Sequence, residues 1–383
     1  MRILGVTYDC AGVWDGMWSS VVEGITARVQ RAQTFDLPLL ERRYLVQSVV
    51  LGAFWYLCHI VKPPLRVIRR VQTTVFSFFW SGGTELVPRA VLGQPRERCG
   101  FAFPTLTITS SLLALKCMLR ILLGDASPAR TLARYFLGPS LRFLDPSAPV
   151  NHGPQSEKPT AIYTTAVAFF RHASAVAPDV NILTDRVVNI MGSLLLPVVP
   201  AARRSPMRRV QWARITSTPL PDHLRDFVWK LGWAVLPTCD RLERWGVLRS
   251  STCPNCPLPE SNRHATVTCM VARVFWRAVH AGFRGQGISS FVSRGRFPSG
   301  RFARLLIVAG LFSLWRNRCT AVAGGFRRRA VWPILGRLRR ELISFLSEEL
   351  FFLGEEEFLR QWSCPFISVN NERLVLVFRP NWR

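Results

Sequence analysis

Four residues constrain this chain more than any others: Cys253, Cys256, His264 and Cys269, spaced Cys-x2-Cys-x7-His-x4-Cys within 17 residues. A Cys-x2-Cys pair presents two sulfurs from one tight turn, and Pro254, Asn255 and Pro257 supply the turn chemistry. Three thiolates and one imidazole complete the tetrahedron of a structural Zn²⁺ site. The competing reading is three ordinary buried cysteines and a surface histidine; four ligands in order, between two helical stretches, favour the metal. The spacing predicts that His264 and Cys269 come from the start of a helix over about Ala265–His280. Zn²⁺ with three thiolates leaves about one net negative charge, which Arg249, Arg263 and Arg273 are close enough in sequence to offset.

The stretch "LPTCDRLERWGVLRSSTCPNC…E…HATVTCMVARVFW" resembles the zinc-binding domain near the C-terminal end of non-LTR (LINE-type) retrotransposon reverse transcriptases. The matching positions are Leu236, Pro237, Thr238, Leu242, Trp245, Gly246, Glu260, His264, Ala265, Cys269, Ala272, Arg273 and Trp276. The seven-residue gap is longer than in retroviral zinc knuckles. Two further blocks are similar to the same family. Ile3-Leu4-Gly5-Val6 with Trp18 resembles the segment just after the polymerase palm. Phe76–Leu106 ("FSFFWSGG…VPRAVLGQPRERCGFAFPTL") resembles a later block, with Cys99 where the family usually has a first glycine. The resemblance is poor from about 125 to 210. It implies a mainly α chain: a helical thumb/connector-like region over 1–125, a linker and helices over 126–214, a small Cys₃His zinc-binding domain over 215–282 and a basic helical region over 283–383. It also implies structural Zn²⁺ as the cofactor and template RNA or target DNA as the partner.

Charge points the same way. Lys and Arg number 50 against 24 Asp and Glu, a formal net charge of +26, and only four of the basic residues are Lys. The excess is +18 from Arg203 onward and +8 before it. Such a balance favours a polyanionic partner, and the arginine fork matches phosphate oxygens; a GC-rich coding sequence produces the same arginine excess. Arg203, Arg204, Arg208 and Arg209, beside Trp212 and Arg214, combine phosphate-binding and base-stacking chemistry. Arg327, Arg328 and Arg329 form a second basic run. The first of these runs also reads as an exposed loop, and the second is expected on the helix that follows Phe302–Ala323. Arg66, Arg69 and Arg70 share one helical face at i, i+3, i+4 spacing and with Lys62 form a short basic stripe. Ten cysteines in 383 residues make no disulfide scaffold. Asp9 and Asp15 interrupt any signal-peptide core. A reducing compartment, nucleus and cytoplasm, is the expectation.

Apolar spacing, apolar runs and Pro or Gly stops together predict helices over Trp14–Gln33, Leu39–Val61, Arg66–Trp80, Leu106–Leu123, Ala161–Ala177, Val180–Leu196, from Asp222 as N-cap onward, and Phe302–Ala323. Residues 2–8 read as one strand lacking its partners, 145–160 as a linker, 283–300 as a Gly/Ser/Arg loop and Leu374–Phe378 as a terminal strand. Tyr44–Val61 holds no charged residue over 18 positions, which meets the lower length for a membrane span; a buried core helix has the same composition. A multi-pass membrane protein, on Tyr44–Val61 and Val187–Ala202, is therefore one rival reading. A zinc-stabilised module that binds acidic proteins is another. Adjacent Cys58 and His59 point about 100° apart on a helix, which disfavours a catalytic dyad. No Asp-Asp pair occurs anywhere, and no Asp follows Asp240. Mg²⁺ needs hard carboxylate oxygens, so the expectation is a fragment without polymerase palm or nuclease, not an enzyme as it stands, with no small-molecule substrate and no catalytic residue.

Overall fold

A computed structural model describes residues 2–3, 6–9, 12–13, 16–96, 100–137, 140–144, 161–194, 214–324 and 330–377. It is mainly α, as expected, and divides into two compact units, 1–202 and 203–383.

The first unit opens with a small antiparallel meander, β1 (Arg2–Ile3), β2 (Val6–Asp9) and β3 (Gly12–Val13), with Ile3 opposite Val6 and Asp9 opposite Gly12. The expected single strand is thus folded back twice on itself, and its pairing is local.

Helix α1 (Gly16–Ala32) buries Trp18, Val22, Ile25 and Val29 at helical spacing. The helix expected over 39–61 is interrupted. It consists of α2 (Leu39–Leu45), a π-helical turn at Val46–Val50 and α3 (Gly52–Cys58), with the Leu51 N–H donating to Val46 O at 3.0 Å. One inserted residue rotates the face beyond it. Val46, Val50, Phe54 and Leu57 are buried, while Tyr44, Val49 and Tyr56 are about half exposed. Such sidedness belongs to a helix lying on a protein core. Phe54 meets Trp18 with ring centroids 5.7 Å apart.

Helix α4 (Leu65–Phe79) ends in a Ser81-Gly82-Gly83 turn, in which Ser81 and Gly82 take positive φ. A short α5 (Arg89–Gly93) comes next. Phe79 packs edge-on against Phe101 and Phe103. A Cβ at Gly100 would stand 1.9 Å from Gln94 O, so no other residue fits that crossing.

Helix α6 (Leu106–Leu123) forms the centre of a second hydrophobic cluster with α7 (Pro128–Leu137), α8 (Leu141–Leu144), α9 (Ala161–Val176) and α10 (Val187–Leu194). The helix expected over 180–196 starts only at Val187, because Asn181 Oδ1 accepts the Leu183 and Thr184 N–H groups, closing a side-chain turn that competes with helix. The 145–160 linker lies outside the described residues, as does 195–202 of the second proposed span.

In the second unit α11 (Asp222–Gly232) begins at Pro221 with no side-chain cap; Asp222 is instead the first helical residue and pairs with Arg225 at 3.2 Å. Of the side expected to be buried, Leu224, Phe227, Val228 and Val235 are buried and Leu231 is half-buried. Then come α12 (Cys239–Arg244), α13 (Met270–Gly282), α14 (Ile288–Arg294), α15 (Arg301–Ala323), α16 (Trp332–Leu353) and α17 (Glu355–Trp362). A closing hairpin pairs β4 (Ile367–Asn370) with β5 (Arg373–Leu376).

The expected loop over 283–300 contains α14. Its composition hides a helix because Gly287 and Gly295 both take left-handed φ and bound it at either end, while Ile288 and Phe291 anchor it. One hydrophobic core draws buried residues from Ile215 to Ile367, so the described residues of 215–282 and of 283–377 share it. Helix α15 is its axis: 72% of its apolar window is buried. This helix and α6, 56% buried, are the described helices long and apolar enough to cross a membrane. Tyr44–Val61 is not among them, since its helix is broken at Leu51.

Candidate metal centre

The metal site is built on two short structures facing each other. Cys253 and Cys256 lie in a turn closed by the Cys253 N–H donating to Leu258 O at 2.9 Å, with a single β-bridge between Thr252 and Pro259. The Asn255 backbone N–H points at Cys253 Sγ, 3.5 Å away, the donor that stabilises a thiolate within such a turn. His264 opens a π-helical turn, His264–Thr268, in place of the expected α-helix. Cys269 leaves helical geometry (φ −57°, ψ 147°) and serves as N-cap of α13. The five-residue turn puts His264 and Cys269 on one side, which an uninterrupted α-helix does for residues three or four apart.

The four ligand atoms lie within 4.8 Å of one another, and all four residues are buried. Cys253 Sγ and Cys269 Sγ are 3.9 Å apart, and Cys256 Sγ is 3.1 Å from His264 Nε2. A disulfide needs sulfurs at ~2.05 Å, so the first pair is not one. Sulfurs about 2.3 Å from a common tetrahedral Zn²⁺ stand about 3.8 Å apart, and the observed separation fits. The hydrogen bond from Cys253 holds the Cys269 thiol below its ordinary value, aided by the Val271 N–H; the same contact, with burial, pushes the Cys253 thiol up. The residues present therefore suit a Cys₃His zinc ion.

A buried ion pair supports the turn from behind. Glu260 is fully enclosed, and its Oε2 accepts from Arg318 at 2.6 Å and from the Cys239 N–H at 2.8 Å. Arg318, on α15, also reaches Cys239 Sγ at 3.3 Å and lies over the Trp315 ring. Burial pulls this guanidinium down, but the hydrogen bonds and charge of Glu260 outweigh it and leave Arg318 above its ordinary value. Burial likewise pushes the Cys239 thiol up to about 11, so Cys239 is held as a thiol outside the ligand set. Trp276 Nε1 donates to Thr266 O at 2.8 Å, fastening α13 to the His264 turn. On α15, Gly310 makes room for the Trp276 ring, whose nearest atom would be 2.8 Å from a Cβ there.

Sequence reasoning marked Glu260 and Trp276 only as matches. The partner Arg318, 58 residues away, carried no local signal. Arg249, Arg263 and Arg273, expected to offset the site's charge, are all exposed, and Arg318 with Glu260 is the charged pair buried behind the turn. The nucleic-acid candidates Arg203, Arg204, Arg208, Arg209, Arg327, Arg328 and Arg329 lie outside the described residues. Arg66, Arg69, Arg70 and Lys62 are exposed at the start of α4. At Cys58 and His59, burial pushes the thiol up and is the main cause drawing the imidazole down, which suits packing.

Residues 201–276 match the family model described as zinc-binding in reverse transcriptase. The match contains all four residues of the Cys₃His cluster and supports a reverse-transcriptase-related protein. Comparison with curated proteins finds no match.

Proposed function

We propose that this chain is a zinc-containing, nucleic-acid-binding part of a LINE-type retrotransposon reverse transcriptase, one that binds template RNA or target DNA and does not itself polymerise. The observation that carries the reading is the convergence of Cys253, Cys256, His264 and Cys269 within 4.8 Å inside a stretch matching the reverse-transcriptase zinc-binding family. Zinc bound there is structural: four protein ligands leave no open position for water or a phosphate oxygen. It ties the 253–256 turn to the start of α13 and so to the core. The +18 balance after residue 202 supports a polyanionic partner. The absence of any Asp-Asp pair supports binding over catalysis. Nucleus and cytoplasm, where thiols stay reduced, suit such a site.

A salt titration of binding to a labelled RNA hairpin and a matched DNA duplex tests this reading. With roughly five to eight arginines engaged, log K should fall against log salt with a slope of about −4 to −7. Replacing Arg203, Arg204, Arg208 and Arg209 by Gln together should flatten the slope by about three units. A flat salt dependence on both probes would defeat the nucleic-acid reading.

A further inference from the structure

A groove of about 650 Å³ borders the segment that carries His264. Its floor is apolar, formed by Val267, Phe291, Phe297 and Leu311. Its rim carries Arg241, Arg244, Arg263, Arg294 and Arg296 against a single acid, Asp240. Two of these arginines are engaged in the scaffold. Arg244 holds Asp240 at 3.3 Å, and Arg241 donates to Ala234 O while lying 5.0 Å from the Trp245 ring centre. Arg263, Arg294 and Arg296 are exposed and have no acidic partner among the described residues. Gly295, in left-handed φ, turns the chain between the last two and sets them on the same rim. The Asn262 carboxamide also lines the groove, and its Oδ1 is enclosed without a hydrogen-bond donor among the described residues.

We infer that this groove takes an unpaired nucleotide of a single-stranded nucleic acid, with the base on the Val267–Phe291–Phe297–Leu311 floor and flanking phosphates on Arg263, Arg294 and Arg296. The inference rests on the nucleic-acid reading above and adds where, and in what form, the strand is held. Charge selects a polyanion, and the apolar floor selects one that carries a flat hydrophobic face between its charges. The volume lies within the ~300–1,000 Å³ of sites that enclose small organic groups. A duplex keeps its bases stacked and presents only backbone to such a recess, whereas a single strand can turn a base in.

The test uses the full chain and compares a single-stranded RNA with the duplex of the same sequence by fluorescence anisotropy. The wild type should prefer the single strand. The variant R263Q/R294Q/R296Q, altered at exposed positions only, should reduce the single-strand salt slope by about two units. Val292→Trp, which narrows the groove without changing charge, should weaken single-strand binding about tenfold and leave duplex binding unchanged. Zinc content equal to the wild type is the folding control for both. Independently of any variant, hydrogen exchange should show protection of 261–267 and 291–297 by the single strand. Wild-type affinity and slope in both variants, or no protection there, would overturn the groove and leave the nucleic-acid reading standing. A wild type that binds neither probe would overturn that broader reading and the groove with it. Displacement of RNA by polyglutamate as readily as by RNA itself would reassign the groove to an acidic protein.

Discussion

Arg318 and Glu260, 58 residues apart, meet at 2.6 Å with side chains 5% and 0% exposed. The pair joins the C-terminal third of the long core helix to the residue that follows the Cys253–Cys256 turn, whose N–H donates to Ser251 O. Taking one partner away leaves the other charge buried alone, a loss on the order of 3–5 kcal/mol. Arg318→Met should cost that much in urea unfolding. The double change Arg318→Met with Glu260→Gln should cost clearly less than the two single changes added together. Strict additivity would show that the two side chains do not support each other.

Zinc should be present at one ion per chain, because a closed four-ligand site holds one. Its removal by chelator should unfold the 214–377 region, since structural zinc contributes roughly 10–16 kcal/mol of apparent binding free energy near neutral pH. Cys256→Ser should lose the ion. Cys239→Ser should keep it, because Cys239 faces Arg318 and not the ligand cluster. Elemental analysis together with circular dichroism reads both outcomes. An unchanged fold in the zinc-free protein would rule out a structural role for the metal.

Gly310→Ala should destabilise the second unit by about 1–3 kcal/mol, the usual effect of overpacking. A Cβ there would sit 2.8 Å from the Trp276 ring and 3.3 Å from Phe275. Gly52→Ala is the matched control: nothing lies within 4 Å of a Cβ at Gly52, and alanine is the better helix former. Thermal denaturation should place the first variant well below the wild type and the second at or slightly above it. A neutral Gly310→Ala would mean that the Trp276 ring has room to move.

Primer extension on an RNA template should give no incorporation above background. The chemistry needs paired aspartates to hold Mg²⁺, and the sequence has no adjacent pair. Robust synthesis by this chain alone would require a different arrangement of carboxylates and would refute the binding-only reading.

What the sequence disclosed was the chemistry and periodicity that act over short range. Cys253, Cys256, His264 and Cys269 are legible because one site uses them within one stretch. Helices α1 and α4 are legible because their apolar spacing repeats over about four turns, and α6 and α15 because each is a long, mostly apolar run. Three features were not. The π-turn at Val46–Val50 leaves the local apolar pattern almost unchanged while rotating the face that α3 presents. Helix α14 hides in a Gly/Ser/Arg-rich segment because its two bounding glycines look like loop residues until their φ angles are known. The Glu260–Arg318 pair is set by how α15 docks, which no local pattern encodes. The groove rim combines Arg241, Arg263 and Arg296 from three separate segments, and only the folded chain brings them together.

Because one core extends from Ile215 to Ile367, the metal-binding turn is not a portable cassette. Recombination that moved it between genes would strand Trp276 without Gly310 and Glu260 without Arg318. The smallest piece of this architecture that keeps its core whole is the stretch from about 214 to 377, and the turn and the long helix behind it are expected to diverge together. A substitution at Arg318 in a descendant should therefore be accompanied by one at Glu260, even where all four metal ligands stay the same.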